Sequence, residues 1–288
     1  MRTIAHRLPI VVLFTWLLTG CVTMQISEKN FIRPDTEAER AQPVQQLDVA
    51  ALQLRFPDAT ISRESLSTAD GATLNGLTLN QPAAKTTVLY FGGNRFHIDP
   101  NAIRVFQVFG ACQVNVTVFD YRGYGRSTGM PDIANMQTDA LQIYDLLNAR
   151  APGTVIAHGQ SLGSFIAAFV AQNRPARGVV LESTTTNVSD WAKANTPWYA
   201  KPFVRYQFSM PLQGIDNVNA LKNFQGHALL LTGENDQITP PRYAREVFAG
   251  IASANKKILL VPGAGHNDAL AKVASTPELC AFIRSVQN

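Results

Sequence analysis

Six short apolar runs recur between residues 86 and 263, separated by longer stretches whose apolar residues return every three or four positions. The runs are "TTVLYFG" (86–92), "VNVTVFD" (114–120), "TVIAHG" (154–159), "GVVLES" (178–183), "ALLLTG" (228–233) and "KILLVPG" (257–263). Several have no polar interruption, the pattern of parallel strands covered on both faces. Helical spacing is found in 100–111, 133–150, 162–173, 240–251 and 277–287. Upstream, residues 61–80 alternate around Asp70-Gly71, which predicts a β-hairpin. Strands alternating with helices predict a doubly wound, mostly parallel α/β sheet with helices on both faces. The ligand site of such a sheet lies off the carboxyl ends of its strands.

Two regions break this rhythm. Residues 184–227 show no clear strand but hold Trp191, Trp198, Tyr199, Phe203, Tyr206 and Phe208, and are expected to form a small cap over the site. At the other end, Arg2 and Arg7 precede the apolar run "PIVVLFTWLL", too short for a stable membrane span. That run closes on Leu18-Thr19-Gly20-Cys21, which resembles the bacterial lipobox. The resemblance implies a signal peptide over 1–20 and lipidation of Cys21, with an ordinary cleaved signal peptide as the alternative. It places the protein in the bacterial cell envelope, held to a membrane by its N-terminal lipid. Val22, where an aspartate would signal inner-membrane retention, points to the periplasmic face of the outer membrane. Residues 21–58, with Pro34, Pro43 and Pro57, read as a lipidated tether with a short helix around 44–54, leading into a domain over 59–288.

Composition narrows the classes. Of 288 residues, 46% are hydrophobic and 16% charged, which suits a large core rather than disorder. The net charge of +4 falls by two when Arg2 and Arg7 leave with the signal, too little to suggest nucleic acid. No metal-ligand spacing and no phosphate-cradling glycine motif occurs, so neither metal nor cofactor is expected.

The candidate chemistry centres on Gly159-Gln160-Ser161-Leu162-Gly163, placed where a buried strand becomes a helix. This is the context of a nucleophile elbow, in which flanking glycines let a sharp turn expose the serine at a helix N-terminus. From here the chain resembles the α/β-hydrolase superfamily over roughly residues 60–286. It is most similar to serine hydrolases bearing D-Y-R-G-Y-G-x-S, here Asp120-Tyr121-Arg122-Gly123-Tyr124-Gly125-Arg126-Ser127, a loop read as structural.

A serine needs a positioned base. His266, in the Gly-Ala-Gly-His loop after the last strand run, fills that role best. His6 lies in the signal, His97 and His227 have no partner pattern, and His158 is expected to pack locally. The acid belongs between serine and histidine in chain order. Asp236 occupies the G-x-x-D setting that the resemblance predicts, ahead of Glu182, with Glu234 two residues too early. The oxyanion donors expected are the backbone N–H groups of Leu162 and Asn94. For the second, the resemblance usually shows His-Gly-Asn where this chain has Gly92-Gly93-Asn94.

The expected function is hydrolysis of carboxylic esters or thioesters, with a small-molecule or lipid-like acyl substrate, through an acyl-enzyme on Ser161. Amide or peptide hydrolysis is the alternative on the same fold, and a non-catalytic envelope lipoprotein is the alternative of another class. Finally, the resemblance implies that the first and last helices share one side of the sheet. Cys112 and Cys280 then stand near enough for a disulfide, against the alternative of two buried free thiols.

Overall fold

The computed structural model describes residues 22–40, 46–273 and 277–287. The expected signal peptide and Cys21 lie outside the described residues.

Among the described residues, ten strands carry the architecture: β1 (Val22–Ile26), β2 (Thr60–Ser67), β3 (Thr73–Asn80), β4 (Thr87–Phe91), β5 (Asn115–Phe119), β6 (Val155–Gln160), β7 (Gly178–Glu182), β8 (Val204–Phe208), β9 (His227–Gly233) and β10 (Lys256–Val261). Eight form one sheet in the order β10-β9-β7-β6-β4-β5-β3-β2. The β2–β3 hairpin and the β3–β5 pair are antiparallel, and the other pairs in this sheet are parallel. The chain places β5 on one side of β4 and β6 on the other, so the winding direction reverses there. The crevice off the carboxyl ends of β4 and β6 is therefore the topological switch point, where such sheets bind ligands.

Side-chain alternation divides the core into two layers. Leu89, Ala157, Val179 and Leu230 face one, packed against helices Ile133–Arg150 and Leu162–Asn173. Val88, Ile156, Val180 and Leu229 face the other, packed against helices Ile98–Gly110 and Pro277–Gln287. A period of two with both faces apolar is what makes the strand runs unbroken in the sequence. The first and last of these helices do share a layer. A disulfide joins Cys112, just after the first, to Cys280 in the last, with Cα atoms 5.0 Å apart. Closing a loop of 168 residues restricts the unfolded chain, worth up to about 5 kcal/mol in the chain-entropy model.

Two expectations need correction. Residues 184–227 do contain a strand: β8 pairs in parallel with β1, forming a separate two-stranded sheet. A five-residue strand with a Pro shortly before it and polar Arg205 and Gln207 at alternate positions carries a weak apolar signal, and its partner is 182 residues away. The segment expected to be a tether also packs on the domain over its described residues. Phe31 and Ile32 are buried in the core, and the helix expected around 44–54 is the shorter Val49–Gln53. Prolines and polar residues suggested a linker, whereas the two adjacent apolar residues decided the packing.

Candidate active site

Ser161 follows β6 directly with φ 52° and ψ −113°, a left-handed conformation that L-residues avoid. Holding it costs on the order of 1–3 kcal/mol, which the surrounding packing must offset. The flanking glycines explain how the turn is tolerated. A Cβ at Gly159 would lie 1.9 Å from the carbonyl oxygen of Gly163, and one at Gly163 would lie 2.1 Å from that of Phe91. Both obstacles are backbone, so neither position admits a side chain. The Ser161 N–H donates to the carbonyl of Glu182 (2.9 Å), which fixes the elbow to β7.

The three side chains singled out from the sequence meet here. His266 Nε2 lies 3.0 Å from Ser161 Oγ, and its Nδ1 lies 2.9 Å from Asp236 Oδ2 and 3.1 Å from Oδ1. Asp236 is buried, and its Oδ1 also accepts the backbone N–H groups of Ile238 (2.9 Å) and Thr239 (2.8 Å). Burial by itself would raise this carboxyl's pKa. Hydrogen bonding and charge from His266, with the Thr239 bonds, outweigh it and hold the pKa below the usual value. Asp236 is thus an anion placed to orient the ring and stabilise an imidazolium.

Two residues that sequence reasoning missed, Thr239 and Ser183, hold this arrangement. Thr239 Oγ1 lies 2.7 Å from Asp236 Oδ2, 2.9 Å from the Ser183 carbonyl and 3.1 Å from His266 Nδ1. Ser183 Oγ donates to the carbonyl of His266 (2.8 Å). Asp236 makes an Asx-turn with the Ile238 N–H two residues on, and the position of Thr239 directly after that turn is the one local signal that pointed to it.

The residues of the two expected oxyanion donors border the same cleft. Asn94 and Leu162 both line a cleft of about 330 Å³ together with Ser161 and His266. Among the described residues, neither backbone N–H has a hydrogen-bond acceptor. The D-Y-R-G-Y-G-x-S loop supports this edge. Tyr121 Oη donates to the Gly92 carbonyl (2.8 Å), and Tyr124 Oη donates to Asn94 Oδ1 (3.0 Å). Arg122 anchors the loop through two bonds to Asp139 and one to Asp70. The glycine standing where a histidine is usual also has a reason: a Cβ at Gly92 would lie 2.0 Å from Cγ of Phe96.

The cleft has an apolar wall of Phe31, Leu162, Phe165, Trp191 and Ile238. Phe31 stands between Phe165 and Trp191, with ring centroids 6.1 and 5.5 Å away. It is held there by Asn94, whose Nδ2 donates to the Phe31 carbonyl (2.6 Å) and whose Oδ1 accepts the Arg33 N–H (3.0 Å). The N-terminal segment is therefore part of the site. Elsewhere among the described residues, His97 pairs with Asp35, and His158 with the runner-up acid Glu182. Glu234 Oε2 accepts the Gly263 N–H. No group of three or more metal-ligating side chains occurs among the described residues.

Comparison with known proteins agrees with the topology. The chain is 32% identical to the protein bem46 of Schizosaccharomyces pombe over 217 residues, covering 72% of this chain and 71% of the relative. It belongs to the α/β hydrolases. Residues 82–219 match the family model described as "Serine aminopeptidase, S33". The lysophosphatidylserine lipase ABHD12 of Macaca fascicularis is 28% identical over 218 residues, 68% of this chain, which spans about half (54%) of that relative. The Pyrococcus furiosus esterase Pf2001 superposes with a TM-score of 0.67 at 14% identity, over 86% of this chain and 99% of the esterase. That last likeness speaks for the fold. Membership of that family makes the protein a hydrolase.

Proposed function

We propose that the protein is a serine hydrolase that cleaves carboxylic esters or thioesters of lipid-like acyl groups. The observation that carries this reading is the 3.0 Å approach of Ser161 Oγ to His266 Nε2, with the other ring nitrogen on buried Asp236. In the proposed reaction His266 takes the hydroxyl proton as Ser161 Oγ bonds to the acyl carbon. The carbonyl oxygen becomes an oxyanion facing the N–H groups of Asn94 and Leu162, a pair worth several kcal/mol, at about 3 kcal/mol per donor. His266 then protonates the departing alkoxide or thiolate. Water, deprotonated by the same imidazole, attacks the acyl-enzyme, and the tetrahedral adduct collapses to release the acid and restore Ser161. No step calls for a metal or cofactor.

The apolar wall of the cleft supports an acyl chain as the bound group, and relatives described as an esterase and a lipase support an ester. Amide cleavage is the second reading, favoured by the aminopeptidase description of the matching family model. A panel of p-nitrophenyl acyl esters of graded chain length, run beside aminoacyl anilides, separates the two. Turnover that rises with chain length and exceeds anilide cleavage supports the lipid-like ester. Faster anilide cleavage overturns it.

The protein acts, on this proposal, from a membrane surface in the bacterial envelope, held there by lipid on Cys21. The support is the Leu18-Thr19-Gly20-Cys21 stretch after a short apolar run. No helix among the described residues is long and apolar enough to cross a membrane. Palmitate incorporation that disappears in Cys21→Ala tests it; incorporation unaffected by that change argues against it.

A further inference from the structure

The two-stranded sheet has two unlike faces. Its register puts Val22, Met24 and Ile26 of β1 opposite Val204, Tyr206 and Phe208 of β8, and alternation gives these six one shared face. Thr23, Gln25, Arg205 and Gln207 take the other. At the inner end the apolar face is covered, because Ile26 and Phe208 pack on the core. At the outer end its β1 side is open, with Val22 59% exposed and Met24 47%, while Val204 and Tyr206 of β8 are half-buried. The strands are parallel and start together, so the segment leading into β8 lies at that same outer end. It carries Trp198, 82% exposed, Tyr199 at 64% and Phe203 at 44%.

Charge follows the same segment. Between Asp190 and Asp216 the sequence has Lys193, Lys201 and Arg205 and no carboxylate. Lys201 is exposed beside the aromatic residues. Trp and Tyr with a basic fringe are the side chains that settle at a bilayer's headgroup level, their rings in the apolar boundary and their polar atoms in water. An exposed apolar group of this kind on a water-soluble surface calls for a partner. The chain itself says which: Val22, at the open end, is one covalent step (about 3.8 Å between Cα atoms) from Cys21.

We propose that this outer end is a bilayer-docking face. Trp198, Tyr199 and Phe203 enter the headgroup region of an anionic membrane, and Lys201, between them in the chain, meets its phosphates. The inference rests on the lipid-anchor reading of Cys21 and extends it from attachment to orientation. A lipid anchor alone leaves a protein free to turn; an anchor with almost no tether, beside an aromatic face, sets which side meets the membrane. Two residues separate Trp198 from Asn195 in the wall of the Ser161 cleft, so docking brings that wall to the membrane surface, where lipid esters are concentrated.

The test uses the full-length chain, processed in a bacterial host, on vesicles of phosphatidylglycerol and phosphatidylcholine with brominated acyl chains. Bromine quenches tryptophan only within contact range, and the difference between wild type and Trp198→Phe isolates the emission of Trp198. The account expects that emission to fall by about half or more on brominated vesicles relative to unbrominated ones. Co-sedimentation of wild type and Cys21→Ala separates the two ideas. Protein that sediments through Cys21 with Trp198 unquenched overturns the docking face and leaves the anchor standing. Cys21→Ala protein that still sediments with Trp198 quenched supports the face without the anchor. Failure of wild type to sediment, with no quenching, overturns both. Light scattering that shows a dimer, with Trp198 emission indifferent to bromine, assigns the face to a second copy and overturns the proposal. A kinetic arm completes it: Trp198→Ser with Tyr199→Ser lowers turnover of a long-chain ester in vesicles about tenfold and leaves a soluble short-chain ester unchanged. Equal losses on both substrates, or none on either, contradict it.

Discussion

His266 and His158 each face a carboxylate, at 2.9 Å from Asp236 in one pair and 3.1 Å from Glu182 in the other. Their surroundings differ. His266 uses both ring nitrogens, one toward Asp236 and one toward Ser161, and its side chain keeps 11% of its surface open at the cleft. His158 is fully buried between Tyr90 and Phe109, with ring centroids 5.0 and 5.3 Å away, and its Nδ1 has no partner among the described residues. Glu182 spends its other oxygen on the Leu270 N–H (3.2 Å). A histidine–carboxylate pair is therefore not a catalytic signature by itself. What distinguishes the proposed base is a second ring nitrogen that meets a nucleophile in a place substrate can reach. The buried pair instead links β6 to β7 and, through Leu270, to the segment following the His266 loop.

Substitutions can break this comparison at either pair. His266→Ala is expected to cost the most, about 10⁴–10⁶-fold in ester turnover by analogy with other triad enzymes, with the unfolding midpoint in urea little changed. Asp236→Asn comes next, at about 10⁴-fold in kcat, because the ring loses the anion that fixes its tautomer. At the other pair the sign of the experiment reverses. His158→Leu leaves the Glu182 carboxylate buried without its partner and is expected to lower stability by about 3–5 kcal/mol in urea unfolding, while kcat per folded molecule stays within about threefold. A larger fall in kcat would mean that the buried pair takes part in the chemistry. Thr239→Val, which removes one hydroxyl beside Asp236 and His266, is expected to lower kcat about tenfold.

The smallest effect lies in acid. Asp236 titrates below its ordinary value of 3.8, so its contribution to stability is complete above that value and is lost as pH falls through the lowered one. Acid unfolding compared between wild type and Asp236→Asn should show that extra loss in wild type alone, in the region below pH 3.8. A difference that instead grows above neutral pH would contradict the direction of the shift.

Much of this was legible because strands covered on both faces leave unbroken apolar runs, and because the elbow needs glycines at fixed spacing. Helices 133–150 and 162–173 were readable to their ends, since Asp132 caps the first and the elbow starts the second. Chain order then pointed to Asp236 and His266. What stayed hidden depends on contacts without local pattern. The β1–β8 pairing joins segments 182 residues apart, and the wedge of Phe31 in the cleft is set by Asn94, 63 residues along the chain. Gly92 was readable as a departure from the usual loop, but its cause, the ring of Phe96, appears only when the turn is folded.

The central claim is that Ser161 is a nucleophile activated by His266 and not by the neighbouring buried histidine. A fluorophosphonate forms a covalent bond with such a serine, and the modified residue is located by mass spectrometry. The account predicts a single adduct on Ser161 in wild type and in His158→Leu, with labelling at least about a hundredfold slower in His266→Ala. An adduct on another residue, no adduct on protein that turns over ester, or undiminished labelling in His266→Ala would contradict it.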